Sequence, residues 1–144
     1  MRKVLALVMA ASLFSFGFTA SAAEKALKLG VIAELTGDMP AVGASCKNAA
    51  EMAIKEINAA GGVQVGKQKM KVELVIEDNA GKADQSAAAA QKLITQDEVL
   101  AIVGPNASRY AIPAAEIAES SETCLLYTSP SPRDRTRSRM PSSA

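Results

Sequence analysis

An α/β fold built on a parallel sheet is what this sequence predicts, and three observations predict it. Short apolar runs alternate with stretches of helical period from Leu27 to Ser120, the pattern of repeated βα units. One of these runs, residues 99–103, is apolar without alternation, as expected of a strand covered on both faces. It stops at Gly104-Pro105 and hands over to small polar residues, so a strand, a turn and a helix follow one another there. In open α/β sheets, ligands sit at the carboxyl ends of the strands, which makes residues 104–108 the first place to look for function.

Taken in order, Leu27, Leu29, Val31, Ile32 and Ala33 form a first strand, which ends in the loop 34–40. A helix is expected over 42–60. Its apolar face is Cys46, Ala50, Ala53, Ile54 and Ile57, with Cys46 read as a small buried residue. Gly61-Gly62 stops it. Met70, Val72, Leu74 and Ile76 alternate with charged residues, which suits a strand at a sheet edge. A second helix, 82–96, is expected to turn Ala83, Ala87, Ala90 and Ile94 to the sheet. Gly104 permits a sharp turn and Pro105 removes a ladder donor; Asn106 or Ser108 is positioned to cap a third helix over 108–120. Such alternation implies right-handed crossovers, and the strand order expected for this start is 2-1-3. The loop after the first strand and the Gly104 loop become neighbours, forming one wall of a crevice.

The two ends of the 144-residue chain do not look like parts of this domain. Arg2 and Lys3 precede an apolar run over 4–18, and Ala20-Ser21-Ala22 supplies small residues for cleavage; residues 1–23 are expected to be a signal peptide. The run is short for a membrane span, and no Cys follows the cleavage point to carry a lipid. The product should be exported and not membrane-spanning after cleavage. At the other end, Pro130, Pro132 and Pro141 stand among serines and four arginines, a composition that cannot build a core. The segment resembles the translation of a sequencing adapter, so 124–144 is expected to be a foreign or disordered tail.

Between Glu24 and Thr123 there are 10 Lys and Arg against 14 Asp and Glu, a net charge of −4. No nucleic-acid partner is indicated. His is absent, which removes the commonest general base and metal ligand. Residues 61–67 satisfy G-x-x-x-x-G-K, but Gln68 stands where Ser or Thr would hold magnesium, and the segment leaves a helix to enter a strand; a turn is the better reading. Glu77-Asp78 points to opposite faces of its strand with no base or nucleophile beside it, so both are read as solvated loop acids. The sequence carries no catalytic constellation, and no enzyme activity, metal or cofactor is expected.

Three runs, 28–62, 72–94 and 99–119, carry Thr36-Gly37, Ile57-Asn58 with Gly61-Gly62, Asp78, and Val103-Gly104 with Ser108. As a set these resemble the amino-terminal lobe of the periplasmic leucine/isoleucine/valine-type binding proteins that feed ABC importers. The resemblance covers nearly all of 28–119 and implies an incomplete first lobe of the type I periplasmic-binding-protein fold. It implies a protein that closes two lobes on a free amino acid and delivers it to an ABC membrane permease. Ser108 matches the family's ligand-binding Ser, with Ala107 and Arg109 supplying adjacent backbone. Val42 stands where several relatives carry an aromatic residue beside the ligand. Neither Gly81 nor Ala107 supplies the cysteines of the disulfide some relatives have. The rest of this lobe, the hinge and the second lobe are expected to be missing, leaving a fragment. Two other classes fit the same pattern: the ligand-sensing domain of a receptor or regulator, and a flavodoxin-like enzyme, for which Thr36-Gly37-Asp38 is a poor phosphate loop.

Overall fold

The computed structural model describes residues 26–127. The signal peptide expected over 1–23 lies outside them, as do residues 128–144 of the expected tail. Strand β1 (Leu27–Ala33) leads into helix α1 (Pro40–Ala59), where Pro40 occupies a first-turn position that needs no amide hydrogen. A hairpin of β2 (Val63–Val65) and β3 (Gln68–Met70) follows. Then come β4 (Val72–Asp78), α2 (Ala83–Thr95), β5 (Ala101–Val103), α3 (Ser108–Ser120) and β6 (Cys124–Leu126). The main sheet is parallel throughout in the order β4-β1-β5-β6. The expected 2-1-3 order is therefore present as β4-β1-β5.

The hairpin is a correction. Residues 61–67 were expected to be a helix stop and a turn; the stop is there, but Val63 and Val65 alternate with polar residues and pair with β3 across Gly66 and Lys67, a two-residue turn. Gly61 and Gly62 both have positive φ, 100° and 93°, and the Gly62 amide donates to the Ile57 carbonyl at 2.9 Å. This segment holds no phosphate cradle at a helix start.

Edge strand β4 is guarded where it begins. The Asn58 side chain donates to the Val72 carbonyl and accepts from the Val72 amide, both at 2.8 Å, taking the place of a neighbouring strand. Asn58→Leu should strand two buried backbone groups and lower stability by about 2 kcal/mol. Urea unfolding should show a lower midpoint at unaltered slope; an unchanged midpoint would mean Val72 is satisfied without it.

The core lies between the sheet and the α2/α3 pair: Ile32, Ala89, Ala90, Leu93, Val99, Ile102 and Ala114 form one buried cluster. The buried face of α2 is Ser86, Ala89, Ala90 and Leu93, so of the four expected residues only Ala90 is fully buried and Ala83 is exposed. The expectation counted the sheet alone, whereas α2 is wedged between the sheet and α3.

The opposite face of the sheet is covered by α1, over β1 and β4. Here two expectations fail for one reason. Cys46 is exposed rather than buried, as is Ala53, and Gly43 is the buried residue of α1. The 99–103 run is not covered on both faces: Ile102 is buried while Leu100 is 63% and Val103 41% exposed. Among the described residues no element lies over β5 and β6 on this side. An open apolar cavity of about 370 Å³ remains, bordered by Val31, Cys46, Ala50, Val103 and Leu126.

Strand β6 also departs from expectation. Cys124–Leu126 pairs in parallel with β5, Ile102 beside Leu125, so the sheet runs three residues into the segment read as a tail. A Cys-Leu-Leu triplet is apolar enough to extend the ladder, and the compositional change falls after it.

Candidate functional site

Three loops meet at the carboxyl ends of the strands: 34–39 after β1, 79–82 after β4 and 104–107 after β5. Because β1 lies between β4 and β5, the first loop touches the territory of both others. Gly104 has φ +91°, and a Cβ built there would lie 2.3 Å from the Ile32 carbonyl oxygen, so the β5 end presses flat against β1. The Gly104-Pro105 bond is cis, and the Gly104 amide donates to the Leu126 carbonyl at 2.8 Å.

Helix α3 then begins at Ser108, with extended Ala107 in the cap position and no side-chain cap bond. Asn106 or Ser108 was the expected cap, and neither holds that position. The Asn106 side-chain oxygen is buried without a partner among the described residues, and Ser108 opens the helix. The positive end of the α3 dipole thus stands beside the Gly104 loop.

Two carboxylates that the sequence did not single out for this role organise the loops. Asp78 Oδ1 accepts from the amides of Leu35, Thr36 and Ala80 at 2.9, 3.2 and 2.8 Å, and Oδ2 accepts from the Thr36 hydroxyl at 2.5 Å. Burial pushes the Asp78 carboxyl up, but the Thr36 hydroxyl and the Ala80, Thr36 and Leu35 amides together outweigh it and hold it below its ordinary value of 3.8. Glu34 is fully buried; its Oε1 accepts from the Asp38 and Met39 amides at 2.7 and 2.8 Å. Glu77, on the other face of β4, accepts from Lys92 at 2.5 Å, which holds the lysine above its ordinary value. Glu77 and Asp78 are therefore bonded structural groups and not the solvated loop acids expected.

A carboxyl whose folded value lies below its unfolded one contributes fully above the ordinary value of 3.8, and loses that contribution as pH falls through the lower folded value. Thermal unfolding between pH 5 and about 2 should therefore show a shallower acid decline for Asp78→Asn than for the wild type. Parallel declines would refute this.

Of the residues the sequence pointed to, Ala107, Ser108 and Arg109 are contiguous at the start of α3. Arg109 lays its guanidinium 4.6 Å from the centroid of the Tyr110 ring, a cation–π contact. Val42 is 44% exposed in the first turn of α1. It is related to the others only through the adjacency of β1 and β5. The apolar cavity borders Gly104, Pro105 and Asn106 but none of these four. Its border carries no charged side chain, and it reads as uncovered sheet. Among the described residues no group of three or more His, Cys, Asp or Glu could hold a metal, and no helix is long and apolar enough to cross a membrane.

Comparison with known proteins gives one consistent answer. A periplasmic binding protein family model matches residues 26–141. The Leu/Ile/Val-binding protein BraC3 of Rhizobium johnstonii is 37% identical over 107 residues, 74% of this chain and 28% of that protein. The Leu/Ile/Val-binding protein homolog 3 of Brucella melitensis is 36% identical over 116 residues, 81% of this chain and 29% of that protein. The chain thus spans under a third of the length of these relatives. Among solved structures, the branched-chain amino acid transporter substrate binding protein LivJ from Streptococcus pneumoniae, in complex with isoleucine, superposes with TM-score 0.67 at 31% identity, covering 73% of this chain and 30% of that one. A solute binding protein of an ABC transporter from Rhodopseudomonas palustris, in complex with 3,4-dihydroxy benzoic acid, gives 0.61 at 27% identity over 71% of this chain and 26% of that one.

Proposed function

The chain belongs to the periplasmic binding protein family, and from that membership we propose that it is first-lobe sequence of an extracytoplasmic solute-binding component of an ABC importer. The solute is a free amino acid, branched-chain or similar, taken between two lobes. Export by a signal peptide over 1–23 to the periplasm, and docking on an ABC membrane permease, complete the reading. No catalytic step is assigned.

The observation that carries it is the place of Ser108. It stands at the positive end of α3, at the carboxyl end of β5 and beside the β1 loop, where hydroxyl and amide donors suit a carboxylate. The ligands named for the structural neighbours support this choice of chemistry. Isoleucine and 3,4-dihydroxy benzoic acid differ in everything except a carboxyl group. On this reading the first lobe, with Ser108 and the backbone of Ala107 and Arg109, takes the carboxylate, and Val42 faces the remainder of the ligand.

The test is calorimetric titration of the complete two-lobed protein with leucine, isoleucine, valine and 4-hydroxybenzoate. One saturable site for an amino acid is expected. Binding of the benzoate alone would move the ligand class, and binding of none would overturn the reading.

Residues 124–144 are proposed to be foreign to the natural chain, with Cys124–Leu126 completing the sheet where a native strand would stand. Composition supports this, with four arginines and three prolines among serines after Leu126, while the family match itself runs on to residue 141. Reading the source gene across Thr123 should give a different apolar strand there. Recovering SPSPRDRTRSR would overturn the proposal.

A further inference from the structure

We propose that Asp78 and Glu34 are positioning residues for the ligand crevice: their carboxyl groups fix the loop 35–39 in place before a ligand arrives. The inference rests on reading this chain as an amino-acid-binding lobe.

The loop between β1 and α1 has neither ladder nor helix to absorb its backbone amides. Four of its five N–H groups end on these two carboxyls: Leu35 and Thr36 on Asp78, Asp38 and Met39 on Glu34. The Thr36 hydroxyl adds a further bond to Asp78. Asp78 also holds the Ala80 amide at 2.8 Å, so one carboxylate ties the end of β4 to the end of β1.

The packing around this clamp leaves little slack. A Cβ on Gly37 would lie 2.9 Å from both the Ala80 carbonyl oxygen and Glu34 Oε1, and one on Gly81 would lie 2.7 Å from Glu34 Oε1. Loops 34–39 and 79–82 are thus pressed together over a buried acid. Glu34 Oε2 is buried without a partner among the described residues. A fully buried carboxyl with one unsatisfied oxygen is an unfavourable way to fill space, and an apolar side chain would fill it at less cost. Retaining it makes sense where the backbone of the loop must be held in one conformation.

That conformation bears on binding. Met39 caps α1 and Pro40 opens it, so the loop sets the start of the helix that carries Val42. The loop also lies beside the 104–107 turn and the start of α3, because β1 and β5 are neighbours. Ordering a loop upon binding subtracts from affinity, and a loop already ordered spares that loss.

The experiment uses the complete two-lobed protein, with L-leucine titration, thermal unfolding and amide hydrogen exchange measured on each variant. Asp78→Asn sets a donor against the loop's donors and should weaken L-leucine binding by about tenfold, a hydrogen bond to a charged group being at stake. Thr36→Val removes only the hydroxyl, without threatening the fold, and should weaken it by roughly threefold or more. Thr36→Ser should restore it, and Glu34→Ala should resemble Asp78→Asn. Exchange should quicken over 35–39 while β4 and β5 keep their protection. Lower melting temperatures with affinity within about twofold of wild type would make the clamp merely structural and overturn the proposal, as would failure of Thr36→Ser to restore binding. A wild type that binds no amino acid would overturn the proposed function. Exchange over 35–39 would then decide the clamp by itself, and unchanged protection in Asp78→Asn would sink it.

Discussion

Gly104→Ala is expected to destabilise the lobe by about 3–5 kcal/mol, because two independent penalties meet at one atom. The backbone φ of +91° lies where side chains are strained, an effect of about 1–3 kcal/mol. The added methyl would also stand 2.3 Å from the Ile32 carbonyl oxygen. That oxygen belongs to the central strand and cannot swing aside as a side chain would, so β5 must back away from β1. Two other glycines separate the terms. Gly66 has φ +59° with nothing within 4 Å, and its change to Ala should cost about 1 kcal/mol from conformation alone. Gly43 sits in a helix, where Ala is otherwise favoured, yet its Cβ would fall 1.9 Å from the Glu34 carbonyl oxygen. Gly43→Ala therefore isolates the steric part. Denaturant unfolding of the three variants in the complete protein should rank Gly66→Ala as mildest by a wide margin. Equal losses at Gly66 and Gly104 would show that the approach of β5 to Ile32 does not hold the loop.

The same three glycines mark how far the sequence could be read. Glycine at a strand end announces a turn, so Gly104 and the start of α3 at Ser108 were legible, and so was the order β4-β1-β5, the usual start of a doubly wound sheet of βα units. What each element would touch was not. Helical periodicity gives the width of an apolar face but not which neighbours share it, and so the α2 face came out rotated and Cys46 was placed inside. Leu100, just before β5, and Val103, at its end, are apolar where helices cover only one face; their composition reports a covering that the described residues do not supply. The clamp was hidden for a different reason. Glu34 and Asp78 are separated by 44 positions and meet only because β1 and β4 pair in register, Ala33 beside Asp78. A carboxylate at the end of an edge strand looks like any exposed acid until the neighbouring loop's amides are known to point at it. Asn58, whose amide brackets Val72, is the same case on a smaller scale.

Ser108→Ala is expected to lower ligand affinity about tenfold to hundredfold in the complete protein. The hydroxyl is proposed to donate to the ligand's carboxylate, and hydrogen bonds to charged partners contribute roughly 1.5–3 kcal/mol, which sets that range. The competing role for a Ser at such a junction is helix capping, where removal costs about 1 kcal/mol of stability and leaves affinity alone. The geometry bears on this choice. The cap position of α3 falls on Ala107, and the first helical residue is Ser108, so the hydroxyl stands one place past the position from which a Ser side chain caps. A carboxylate received there would also meet the positive end of the α3 dipole, worth up to about 1 kcal/mol at an exposed end and retained in the variant. The loss on mutation should therefore be partial, with weakened but saturable binding. Ser108→Thr keeps the donor and should lie nearer the wild type. Titration with leucine, isoleucine and valine adds a discriminating arm: if Ser108 reads the carboxyl group that all three carry, their affinities should fall by similar factors. A fall for one of them alone would place the hydroxyl against the side chain instead. Reduced stability with unaltered affinity for every ligand would return Ser108 to a structural role.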